Sequence, residues 1–301
     1  MGRANGARRE PTIRRGHADD VIECTRVWRA TVDRSLPAPA AGYQLYQHEL
    51  DTGTLLVAEV DGVLAGFAGS ITRGERWFLG DLFVHPEHHG LGLGRQLLDQ
   101  LVAVDAPGKL RATMASDDPR ALTLYTQLGM TPRWPCFSLI GRSDIDMPTV
   151  ADPAGATVDR AERCSAIDLA EQAQPCAYDL SPIDLDYWER TAAAEFVLVA
   201  DAGGAVVRWS TPFAIAHPDA ISVGPLFARS PEVLPGVVAA VLAFIRSEDP
   251  DHPTKLYVPG TSAALRPLLD AGHRIEEFDL FSSSSPSILD PTRVLPSHDL
   301  L

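Results

Sequence analysis

The chain has 301 residues, 45% of them hydrophobic, and a formal net charge of -14 at pH 7. That length fits two domains of about 150 residues or one large one, with apolar content enough for a sizeable core. The acidic balance works against binding nucleic acid or an anionic membrane and leaves a weak preference for cationic ligands such as a protonated amine.

The opening "MGRANGARREPTIRRG" carries basic residues but no apolar core for a signal peptide, and Gly6 stands at the Ser/Thr position of the myristoylation pattern. The longest apolar run, Gly236 to Ile245, is about half of the ~20 residues that span a bilayer. A cytoplasmic protein is expected. Cys24, Cys136, Cys164 and Cys176 form no CxxC pair and lack zinc-site neighbours, so reduced thiols and no metal are expected.

In chain order, "TIRRG" from Thr12 opens a strand, and Val21, Thr25, Trp28 and Val32 then recur as one helical face. "LLVAEVDGVLAGFAG" holds two apolar runs around Asp61-Gly62, a type I′ hairpin signal. The strand Trp77–Val84 leads into "HPEHHGLGLGRQLL", and the pairs Leu97/Leu98 and Leu101/Val102 predict a helix after that loop. Leu110, Ala112 and Met114 alternate as a half-buried strand does. A second helix follows, with Asp118 as cap, Pro119 in its first turn and Gly129 past its end. The stretch Arg142–Val158 has no periodicity and marks a boundary. The expected organisation is a flexible start at 1–11, a domain at 12–145, a linker at 146–157 and a second domain at 158–301.

The second half echoes the first at a nearly constant offset. Val57–Phe67 matches Val199–Trp209, with Asp61-Gly62 facing Gly203-Gly204, and "ALTLYTQLGM" matches "ALRPLLDAGH". Duplication of one α/β unit is the reading. At the matched positions Gly90, Gly92 and Gly94 face Val233, Pro235 and Val237, Tyr125 faces Leu268, and Pro267 sits within the helix. A proline removes an N–H where a phosphate cradle needs donors, so phosphate binding is expected in the first half alone.

A strand ending in a glycine loop that opens a helix makes an anion site, because unpaired N–H groups and the positive end of the helix dipole converge there. A Walker A loop is excluded because Arg95-Gln96 follow Gly94, and no GxGxxG count fits a Rossmann fingerprint. The remaining class is the pyrophosphate of coenzyme A. "DLFVHPEHHGLGLGRQLL" resembles motif A of the GCN5-related N-acetyltransferase (GNAT) superfamily, V-x-P-x-x-[QR]-G-x-G-x-[GA], through Val84, Pro86, Gly90, Gly92 and Gly94. His89 replaces the usual Gln or Arg, which leaves backbone binding intact and weakens a side-chain contact. "DDPRALTLYTQLGM" resembles motif B, N-x-x-A-x-x-L-Y-x-x-x-G-[FM], through Ala121, Leu124, Tyr125, Gly129 and Met130, with Asp118 for Asn.

The resemblance covers about Thr12 to Arg142 and implies an α/β (α+β) fold of two tandem GNAT-like units, each a bent mixed sheet flanked by helices. Its sheet is splayed between the fourth and fifth strands, here Trp77–Val84 and Leu110–Met114, to admit acetyl-CoA. It implies an N-acetyltransferase acting through a ternary complex, with acetyl-CoA as cosubstrate held by Phe83, Val84, His89, Gly90, Leu91, Gly92, Leu93, Gly94, Arg95 and Asp118. Tyr125 falls at the position that protonates the departing thiolate. The oxyanion donor is implied to be a backbone N–H near Phe83 or Val84. Asp81, on the strand face shared with Phe83, is the candidate base, and a surface carboxylate is the alternative. "CAYDLSPIDLDYWER" from Cys176 is a candidate wall for a cationic acceptor, or a solvated amphipathic segment. The expected acceptor is a primary amine on a small molecule, with no nucleic acid or membrane partner, in a monomer or homodimer. Acetylation of a protein or peptide amine, and a non-catalytic acyl-CoA sensor, are the alternatives.

Overall fold

The computed structural model describes residues 11–32, 44–142, 150–151, 157–158, 160–176, 179–209 and 220–297. The chain divides into two compact units, Met1–Lys109 and Leu110–Leu301.

The first unit runs β1 (Thr12–Arg15), α1 (Asp20–Thr31), α2 (Gln44–Thr52), β2 (Thr54–Val60), β3 (Val63–Arg73), β4 (Arg76–Val84) and α3 (Leu93–Asp105). Its strands pair antiparallel in the order β1-β2-β3-β4. The hairpin signal holds, since Asp61 and Gly62 both have positive φ, 54° and 79°, as a type I′ turn requires. Strand alternation sorts the two faces of β3. Phe67 points to α2, its ring edge-on to Tyr46 with centroids 4.9 Å apart. Ser70 points the other way and donates to Asp105 of α3 at 3.0 Å. On α3, Leu93, Leu97, Leu98 and Leu101 are buried, one apolar stripe against the sheet. Val21, Thr25 and Trp28 of α1 are buried as their spacing predicts, whereas Val32 lies past the helix end and is exposed.

The second unit contains β5 (Leu110–Ala115), α4 (Pro119–Gln127), β6 (Thr131–Arg142), the short pair β7 (Val150–Ala151) and β8 (Thr157–Val158), β9 (Ala161–Cys164), α5 (Ala166–Ala173) and α6 (Pro182–Ala192). It continues with β10 (Ala194–Val199), β11 (Gly203–Arg208), β12 (Ile221–Ala228), α7 (Leu234–Glu248), β13 (Pro253–Pro259), α8 (Leu265–Asp270), β14 (Arg274–Ser283) and β15 (Val294–Leu295). From β9 to β14 the order of strands and helices repeats that of β1 to β6, so the duplication read in the sequence is present in the fold. The expected α/β architecture of two repeated units, each of strands flanked by helices, is therefore that of the chain.

The repeats are interleaved. β14 lies between β5 and β6, and β6 in turn pairs with β13, so the last strand of each repeat hydrogen-bonds to the fifth strand of the other. The repeat junction falls in the stretch between β6 and β9, whereas the compact units part after Lys109. Residues 143–149 and 152–156 of that stretch lie outside the described residues.

In the second repeat, β12 and β13 run parallel and are paired only over Ile221–Val223 with Thr254–Leu256. Beyond that point Leu226 and Phe227 of β12 pair instead with Leu295 and Val294 of β15, and β15 also lies against β13. The core of this unit gathers the buried face of α7, including Val237, Val238, Val241 and Ile245, on Val207, Val223 and Val258 of the strands. The hairpin echo needs a correction of register. The turn between β10 and β11 is Ala200 to Ala202, and Gly203 and Gly204 belong to β11 itself, opposite Val199 and Leu198. A Cβ at Gly203 would lie 2.0 Å from the Phe227 carbonyl, so glycine there answers to strand packing rather than to the turn.

Candidate functional site

The glycine loop begins where β4 ends. The His85 N–H donates to the Ala65 carbonyl at 2.8 Å, and Pro86–His88 form one 3-10 turn whose first N–H groups are met by His85. Gly90 and Gly92 both take left-handed conformations, with φ of 80° and 75°. These values are costly for any residue with a Cβ, which is why glycine stands at each. Gly92 is the N-cap of α3 and brings no capping side chain, and the first turn of the helix carries no acidic residue. A Cβ built at Gly90 meets nothing within 4 Å. The backbone N–H groups of Leu93, Gly94 and Arg95 thus open a helix at its positive end beside uncrowded backbone, the arrangement that suits a pyrophosphate. Leu91 is half-buried and Arg95 exposed.

His89 is turned inward to its own loop. Its Nε2 lies 2.8 Å from the Val84 carbonyl oxygen. A carbonyl can only accept, so Nε2 carries the proton, and the imidazole ties the loop back to the end of β4. The side chain that departs from motif A therefore braces the cradle. Phe83 and Val84 sit opposite Phe67 and Gly66 on β3, and the Phe67 and Phe83 rings are 5.6 Å apart.

Asp81 lies on the same face, two positions before Phe83 and opposite Gly69. The next pair is Ser70 with Leu79, so Gly80 is an extra residue in β4, a β-bulge beside the predicted base. The bulge turns Gly80 and Asp81 toward one residue that sequence reasoning missed. Glu49 of α2 is fully buried. A Cβ at Gly69 would lie 1.8 Å from Glu49 Oε2, and a Cβ at Gly80 would lie 2.5 Å from Oε1. Two glycines on neighbouring strands thus make the space that the Glu49 carboxyl fills. Neither of its oxygens has a hydrogen bond of good geometry. Burial pushes this carboxyl well above the ordinary range, and the neighbouring Asp81 carboxyl pushes it further. Asp81 itself is 8% exposed.

In the second unit, Asp118 caps α4 as predicted, its Oδ1 accepting from the Arg120 N–H at 2.8 Å, with Pro119 in the first turn. Its carboxylate also pairs with the Arg120 guanidinium at 2.7 Å. The Met130 N–H bonds the Tyr125 carbonyl at 3.0 Å, and Gly129 has φ of 80°, a Schellman-type end. Tyr125 is 6% exposed. Among the described residues, no group of three or more His, Cys, Asp or Glu side chains is arranged to hold a metal ion. No helix of the described residues is long and apolar enough to cross a membrane.

The same stations in the second repeat carry different residues. Val233 caps α7, Pro235 follows in its first turn, and Val233, Leu234 and Val237 are fully buried. Pro267 leaves α8 at six residues against nine for α4. Tyr187 and Trp188 of the candidate acceptor wall are each 2% exposed, with the Arg208 guanidinium 5.9 Å from the Trp188 ring centre. They are core residues, because α6 packs its aromatic face on β10 and β11.

Residues 24–130 match the family model described as Acetyltransferase (GNAT) family. None of the curated proteins matches the chain in sequence. Among solved structures, a provisionally named acetyltransferase of Pyrococcus horikoshii is 12% identical with a TM-score of 0.71, covering 100% of this chain and 99% of that one. A tandem GNAT protein from the clavulanic acid biosynthesis pathway is 14% identical with a TM-score of 0.55, covering 92% of this chain and 99% of that one. A GCN5-related N-acetyltransferase from Sphaerobacter thermophilus is 15% identical with a TM-score of 0.54, covering 97% and 98%. At these identities the likeness is one of fold.

Proposed function

We propose that this chain, a member of the GNAT superfamily through its residues 24–130, transfers an acetyl group from acetyl-CoA to a primary amine on a small molecule. The observation that carries the reading is the loop after β4. Two left-handed glycines, an uncapped helix start and no acidic residue in the first turn make a backbone anion cradle inside the matched segment. Phe83, Val84, His89, Gly90, Leu91, Gly92, Leu93, Gly94 and Arg95 form or brace that cradle, and Asp118 is assigned to the same cosubstrate by motif B. Bound acetyl-CoA supplies the acyl group as a thioester.

The chain's own residues manage the protons. Asp81 takes the proton of the acceptor ammonium and frees its lone pair. A backbone N–H of Phe83 or Val84 stabilises the oxyanion as the new C–N bond forms. As the C–S bond breaks, Tyr125 donates its phenolic proton to the thiolate. Of the two protons the nitrogen gives up, one restores Tyr125 and one leaves through Asp81. Domains at 12–145 and 158–301 joined by 146–157, a cytoplasmic site of action, and a monomer or homodimer belong to the same reading.

The second repeat is proposed to carry no cosubstrate. Buried valines and Pro235 replace the loop glycines, and β15 occupies the side of β12 beyond its pairing with β13. The test is thiol release from acetyl-CoA with the full chain across aminoglycosides, amino acids, polyamines and peptides. Turnover restricted to small amines supports the reading, and turnover on peptides alone replaces the acceptor class. Binding of acetyl-CoA without turnover on any amine replaces the enzyme by a sensor.

A further inference from the structure

Packing does not account for the carboxyl of Glu49, both of whose oxygens are buried. A fully buried acid with no well-formed hydrogen bond is destabilising when neutral and far more so when charged. A helix residue facing strands could be apolar at no such cost. Here two strands forgo side chains, at Gly69 and Gly80, to admit it, and the extra residue of the bulge turns Asp81 toward the same point. The groups around it are few. From α1 comes the Cys24 thiol, itself raised by burial, by Asp20 and by these two carboxyls. Asp20 is tied to Arg14 at 2.7 Å and stays ionised: burial opposes that charge, but Arg14 and the His17 N–H outweigh it. His48, next to Glu49, points to Arg73, with 3.5 Å between Nε2 and Nη2. None of these, among the described residues, supplies a cation to Glu49. Two carboxyls so placed cannot both ionise cheaply, and the low-cost state holds one proton between them.

We infer that Glu49 and Asp81 form a proton-sharing carboxyl pair, with Glu49 the buried positioning residue that retains the proton and Asp81 the partner that exchanges protons with the acceptor amine. The exchange half rests on the acetyl-transfer reading, whereas the pair itself does not. In that step the ammonium N–H bond breaks, its proton fills the second carboxyl, and the lone pair stays on nitrogen for the C–N bond. Glu49 keeps its proton throughout, which leaves Asp81 as the carboxyl of the pair that exchanges.

The test needs no acceptor. Infrared spectra of the full chain at about pH 7 should show the C=O stretch of a neutral carboxylic acid, because ordinary carboxylates are ionised there. Glu49→Gln should remove that band. Asp81→Asn should keep it but lower the pH at which it disappears by about one unit or more, since a neutral amide no longer opposes the Glu49 charge. Absence of the band in the unmodified chain overturns the inference without recourse to any variant. A midpoint unmoved in a folded Asp81→Asn protein, checked by circular dichroism, also overturns it, because burial alone would then hold the proton. If the coupled titration is found while no amine releases thiol, the pair stands and the acetyl-transfer reading falls.

Discussion

Replacing Glu49 by Gln removes a fully buried carboxyl whose pKa is raised, and its effect on stability follows from proton linkage. Below the ordinary glutamate value of about 4.3 the group is neutral whether the chain is folded or not, so the substitution changes no charge. Above that value the unfolded chain releases the proton while the folded chain keeps it. The folded state then binds more protons, and stability falls with rising pH by about 1.4 kcal/mol per unit. The fall ends where Glu49 ionises inside the fold, and from there the difference is constant. The pKa is raised by burial first and by Asp81 second, so the window opens at the ordinary value and closes well above it. Gln fills the same space between Gly69 and Gly80 without that linkage. The variant should match the parent in mild acid and exceed it progressively toward neutrality. Calorimetric Tm values should diverge by about 2–4 °C for each kcal/mol. Stability curves that run parallel from about pH 5 to about pH 7 would refute the placement of a neutral Glu49.

Tyr125→Phe should fold as the parent does, since the ring is buried, and should lower kcat for any amine that turns over; an unchanged kcat removes the phenol from the proton path. Gly90→Ala meets no steric conflict within the protein but places a Cβ residue at φ of 80°, a cost of about 1–2 kcal/mol. It should weaken coenzyme A binding by tenfold or more in titration calorimetry, about 1.4 kcal/mol, and an unaltered Kd would locate the cradle elsewhere. Burial pushes the thiols of Cys24 and Cys136 far above the ordinary range, raises that of Cys176, and raises that of Cys164 to about 11. The native chain should therefore react slowly with a thiol reagent at about pH 8, so that released coenzyme A is read without background; a fast burst before substrate is added contradicts that placement.

What the sequence made legible was local. A left-handed glycine, a capping Asp before Pro119 and a type I′ pair at Asp61-Gly62 each declare their conformation within a few residues, and all were found where expected. The order of elements also survives duplication, because each helix and strand keeps its own periodicity even where the loop chemistry is lost. The exchange of β6 and β14 was not legible. It depends on which edge a strand meets across the repeat junction, and both strands have the same pattern whichever fifth strand they join. The place of α6 was not legible for a related reason: its sequence fits a cleft wall or a solvated segment, and only the neighbours β10 and β11 show Tyr187 and Trp188 to be core residues.

Glu49 was hidden by the same limit. "QLYQHELDT" mixes polar and apolar residues, and its buried set, Leu45, Tyr46, His48 and Glu49, includes two side chains that a hydrophobic pattern counts as solvent-facing. The signal lay in the strands instead. Gly69 and Gly80 each interrupt a run of large or β-forming residues, and neither has a positive φ to explain it. A strand glycine that no turn requires marks a close approach, and two of them on paired strands mark the footprint of one buried group. Asp81 beside that footprint then acquires a partner rather than a solvent neighbour. A carboxylate on β4 could be a surface charge on residue type alone, whereas one beside a bulge and a buried acid has its charge set by that neighbour.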